Sequence, residues 1–101
     1  MSTPVGPVPL ERFEGLPGFE LIQEGLSDIS RGARTVASLL VTIGAPRLRQ
    51  AGILVPESPI KSPELELYEF LSRTDSDSAH GRYNALVRRL VSFERALECA
   101  S

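Results

Sequence analysis

The feature that most constrains this chain is a series of apolar residues spaced for one face of a helix. Phe19, Ile22, Leu26, Ile29, Ala33, Val36, Leu40 and Ile43 follow one another at steps of 3, 4, 3, 4, 3, 4 and 3, which returns the side chains to one side of a helical turn. A second series, Ala79, Tyr83, Leu86, Leu90, Phe93 and Leu97, runs at steps of 4, 3, 4, 3 and 4. Both stripes must be buried against other elements, and no strand pattern of comparable length competes with them. The chain therefore reads as helix packed on helix.

A single helix over 19–43 would be about 38 Å long at about 1.5 Å per residue, more than the diameter expected for a domain of this size. Gly32 is the natural break, since glycine is poor inside a helix and favoured just past its end. Helices over 18–30 and 33–43 are expected. The second is apolar nearly all round after Val36, which marks it as the central core helix. Gly44-Ala45-Pro46 reads as its stop, followed by a short connecting helix over 47–51 that Gly52 ends. Residues 53–61 read as a linker. Ser62-Pro63-Glu64 combines a hydroxyl cap, a first-turn proline and an acid at the positive end of the helix dipole, predicting a helix over 63–73. TDSDS (74–78) reads as a turn in which Ser76 or Ser78 caps the last helix.

The fold class is all-α: a small irregular helical bundle of about four main helices plus a short connecting helix. Pro4, Gly6, Pro7 and Pro9 make 1–15 a flexible Pro-rich tail, leaving 16–101 as a single helical domain. The Pro4–Pro7 spacing fits a PxxP motif, but proline density alone accounts for it.

Composition narrows the functional classes. Eleven basic and thirteen acidic residues give a net charge of −2, so no global field draws the protein to nucleic acid or an anionic membrane. The most apolar run, 36–43, is far short of the roughly 20 residues a membrane span requires. The first residues carry no pattern of a secretory signal, and Cys99 is the only cysteine, so a cytoplasmic location is expected and no internal disulfide exists. No cofactor fingerprint occurs, no small-molecule ligand is indicated, and Asp75-Ser76-Asp77-Ser78 lacks the continuation of a calcium loop. No catalytic constellation and no metal-ligand set is read.

The clearest chemical feature is Arg82, Arg88, Arg89 and Arg95, which fall on neighbouring positions along one side of the last helix. They are the candidate binding residues, suited to phosphates. The competing expectation is internal pairing, because 57–77 holds six acids against two bases while 78–101 holds four arginines against two acids. On that expectation Glu64, Glu66 and Glu69 take the arginines. A helix-turn-helix over 36–53, with Arg47 and Arg49 projecting, is disfavoured by its short second helix. Arg73, His80 and Tyr83 loosely resemble the Arg-spacer-His pattern of the HEPN family of helical ribonucleases, and the resemblance implies an arginine and a histidine acting on an RNA backbone. Six residues separate Arg73 from His80 here, and the acidic TDSDS between them departs from the family's helical context.

The functional expectation is a non-catalytic protein–protein interaction or regulatory domain that forms a homodimer or binds another protein. Nucleic-acid binding through the four arginines is the alternative, and a ribonuclease the remote one. Dimerisation is expected because such regular stripes present more apolar edge than a chain of this length readily covers.

Overall fold

The first stripe breaks at Gly32, which adopts a φ of +74°, a conformation that a side chain disfavours. The computed structural model describes residues 13–100. Those residues form an all-α fold of four helices in the order α1 (Phe19–Ser30), α2 (Val36–Gln50), α3 (Pro63–Thr74) and α4 (Ala79–Ala100), with no strand among them. Most of the proline-rich tail, residues 1–12 with its PxxP spacing, lies outside the described residues.

α2 is the central element, packing against α1, α3 and α4. Its Leu39, Leu40, Val41 and Leu48 are completely buried, each contributing about 2 kcal/mol of hydrophobic stabilisation. The same core takes Phe19 and Ile22 from α1, Leu67 and Leu71 from α3, and Leu90, Phe93 and Leu97 from α4. Phe13, assigned by the sequence pattern to the N-terminal tail, is also buried in it.

Two local expectations need correction at α2. Its start falls at Val36 rather than residue 33, because Thr35 is an N-cap with a reciprocal partner: the Ser38 amide donates to Thr35 Oγ1 at 3.1 Å, and the Thr35 amide donates to Ser38 Oγ at 2.8 Å. Its end falls at Gln50, so the short connecting helix is the last part of α2 and not a separate element. Pro46 removes one helical donor but sits on the exposed side, while Ala45 and Leu48 on either side of it are held in the core. Tertiary burial thus carries the helix through a residue that normally interrupts it.

The segment after α2 is a pinned strap. The Ile53 amide donates to the Leu48 carbonyl at 3.0 Å. Arg49 donates from Nη2 to the Val55 carbonyl at 2.9 Å, and Ile53 and Val55 are buried. This use of Arg49 removes it from the helix-turn-helix reading. At α3, Pro63 occupies the first turn as expected, but the Ser62 hydroxyl makes no capping bond. A residue preceding proline is held out of the helical region, and here the Ser62 carbonyl, accepting from the Glu66 amide at 3.1 Å, supplies the first helical bond. The turn before α4 is set by the Asp77 amide donating to Asp75 Oδ1 at 3.1 Å. No helix among the described residues is long and apolar enough to cross a membrane.

Candidate functional site

α4 has three faces, each with a different chemistry. One is the core stripe. The second carries the arginines. The third, turned toward α2, borders an open cleft.

All four arginines, Arg82, Arg88, Arg89 and Arg95, are exposed. None makes an ion pair or a side-chain hydrogen bond with a described residue, so the pairing expected with Glu64, Glu66 and Glu69 does not form. Glu66 instead takes Arg34 of the α1–α2 connection at 3.1 Å. The reason is geometric. α3 and α4 meet through their apolar sides, and the arginines project from the side of α4 away from that contact. At about 100° per residue, Arg82 and Arg89 form one row, Arg88 and Arg95 a second, and the rows stand roughly 120° apart around the axis.

The cleft between α2 and α4 has a volume of about 450 Å³ and is lined by Ile43, Pro46, Val87, Leu90 and Val91, with Arg47, Glu94 and Arg95 at its polar edge. Gly44 allows α4 to come close here, since a Cβ on it would lie 2.7 Å from Leu90 Cδ1 and 3.0 Å from Glu94 Oε2. The sequence pattern assigns Gly44 to a helix stop, whereas it is a packing residue inside α2. Glu94 is buried, and burial holds its carboxyl above the usual glutamate value, with Arg47 opposing the shift and Glu98 adding to it. A neighbouring cleft bounded by Arg47, Gln50, Ala51, Glu94 and Glu98 adjoins the same carboxylate. The sequence carries only one signal for Glu94, an acid one position beyond Phe93 on the edge of the apolar stripe.

The HEPN-like residues have separate surroundings. Arg73 lies over the Phe70 ring, 5.6 Å from its centroid. His80 Nε2 is 3.2 Å from Asn84 Nδ2, and its ring meets Tyr68 edge-on at 6.4 Å. Arg73 and His80 make no hydrogen bond to each other. Tyr83 packs on Tyr68 at 5.7 Å, and burial, followed by the charge of Glu64, pushes its hydroxyl pKa up. No group of three or more His, Cys, Asp or Glu side chains among the described residues is arranged to hold a metal ion. Cys99 is exposed.

Compared with protein-family models, curated proteins and solved structures, the chain matches none of them.

Proposed function

We propose that this protein is a non-catalytic interaction domain of the cytoplasm that works as a homodimer, with the α2–α4 cleft and the adjoining face of α4 as its interface. The observation that carries this reading is the composition of that face. Val87 and Val91 are half-buried beside the cleft, one turn apart, with Ile43 and Pro46 next to them. An apolar centre with polar ends is the usual anatomy of a protein interface.

The face is also self-complementary. When two α4 helices meet antiparallel about a two-fold axis level with Arg89, Val87 of one copy stands opposite Val91 of the other. The same register sets Asn84 level with Glu94 of the second copy and His80 level with Glu98. Apolar groups then meet in the middle, and a titratable base faces an acid at either end, as an isologous contact requires. An exposed lone thiol at Cys99 suits a reducing compartment.

Sedimentation equilibrium tests the proposal. The expected result is a dimer that Val91→Glu converts to a folded monomer. His80→Glu is expected to weaken association, and adding Glu98→Lys is expected to restore part of it. A wild-type chain that stays monomeric at high concentration overturns the reading, as does a dimer indifferent to Val91→Glu.

A further inference from the structure

The arginine face of α4 adjoins the proposed dimer interface, with Arg95 on the border between the two, and its composition is different in kind. Between the row of Arg82 and Arg89 and the row of Arg88 and Arg95 lie Gly81, Ala85, Ser92, Ala96 and Cys99, all small. No acidic side chain falls within this arc. Glu94 and Glu98 are on the flank that turns toward α2, where Glu98 lies near Arg47 at 3.9 Å. The exposed acids nearest in sequence to the start of α1, Glu14 and Glu20, form no ion pair with the arginines. The face is therefore positive over three turns in a chain whose net charge is −2.

Such a surface offers little to an apolar partner, because it contains no large apolar side chain. It suits a ligand with regularly spaced anions on two walls. Within each row the arginines are two turns apart, about 10.5 Å, and the two rows point outward on either side of a shallow floor. The major groove of B-form DNA is about 12 Å wide and about 8.5 Å deep, enough to admit a helix. We propose that α4 lies along the major groove of duplex DNA, with Arg82 and Arg89 facing the phosphates of one strand and Arg88 and Arg95 those of the other. The floor brings only the Ser92 hydroxyl and the Cys99 thiol toward the bases, so the binding is carried by phosphates and is nearly independent of sequence. A-form RNA, whose major groove is deep and narrow, does not admit the helix in this way.

The complementary strengths of guanidinium and phosphate make the test sharp. Fluorescence anisotropy is measured with the full chain and a labelled mixed-sequence duplex DNA of about two turns, the matching duplex RNA, and the single DNA strand. Duplex DNA is expected to bind most tightly. With four phosphate contacts, affinity falls roughly 100-fold between about 50 and 200 mM salt. The double variants Arg82→Glu/Arg89→Glu and Arg88→Glu/Arg95→Glu, each altering one row, are expected to lose at least about tenfold in affinity and to flatten the salt dependence. Lys61→Ala, exposed and away from both the arginine face and the α2–α4 cleft, is expected to leave binding within about twofold. The four arginines are exposed, and circular dichroism with thermal unfolding confirms that each variant is folded. Absence of DNA binding at low salt overturns the proposal. So does binding that neither row variant alters, and so does tighter binding to duplex RNA or to the single strand.

Discussion

On the α1 flank of α2 the two backbones approach so closely at Gly25 that a Cβ there would stand 2.4 Å from the Ala37 carbonyl oxygen. On the α4 flank the approach at Gly44 is limited by the ends of the Leu90 and Glu94 side chains, and an open cleft remains beside it. The first flank is closed by backbone and by a complete polar network. Asp28, only 4% exposed, accepts from Thr35 Oγ1 at 2.6 Å and pairs with Arg31, and Thr35 in turn caps α2. The second flank has a buried acid held above its usual pKa, half-buried valines, and arginines with no partner among the described residues. The difference separates a flank closed by backbone contact from one that leaves a cleft beside its contact.

Substitutions at the two glycines test that contrast most strongly. Gly25→Ala is expected to lower stability by about 1–3 kcal/mol in chemical denaturation, because the added methyl meets a backbone that cannot turn aside. The gain of about 1 kcal/mol in helix propensity is outweighed. Thr35→Ala, which removes the cap of α2 and its bond to Asp28, is expected to cost about 1–2 kcal/mol. Gly44→Ala should change stability by less than about 1 kcal/mol, since a leucine tip can shift and helix propensity offsets the crowding. Equal costs at Gly25 and Gly44 would remove the distinction between a backbone contact and a side-chain contact.

Acid titration sharpens the comparison, because the two buried carboxyls respond with opposite sign. Hydrogen bonds from Thr35 and then Arg31 hold Asp28 below its ordinary value of 3.8. Its contribution is present above that value and is lost as pH falls through the lower folded-state pKa. Glu94 is raised above its ordinary 4.5, chiefly by burial. The folded state therefore binds its proton more readily than the unfolded chain, and stability rises as pH falls through the folded pKa toward 4.5. Denaturation curves of Asp28→Asn and Glu94→Gln across the carboxylate range are expected to flatten opposite limbs of the pH profile. A Glu94→Gln profile identical to wild type would show that burial does not penalise this carboxylate.

Much of the fold was legible from the positions of apolar residues, glycines and prolines. The break at Gly32, the proline start of α3 and the long last helix follow from local rules, because each concerns groups within one turn of one another. Pro46 misled for the complementary reason. Its local cost is real, but Ala45 and Leu48 are buried by other helices, which no neighbouring residue reveals. Gly25 gave no local sign of its role either, since it sits in an ordinary helical stretch and its close contact is with a residue twelve positions away.

The candidate site divides in the same manner. The arginine positions and their common side of α4 could be read directly from helical periodicity. Whether they were paired could not, because opposite charge in neighbouring segments says nothing of which faces meet. What the sequence by itself determined is the set of helices and the side of each that had to be buried, through the free energy of removing apolar surface from water. The tertiary structure alone decided that α3 meets α4 through leucines and aromatics, turning the arginines outward, and that Gly44 brings α2 near Glu94. Those outcomes depend on how helix axes cross, a property of shapes packed together that no single helix carries.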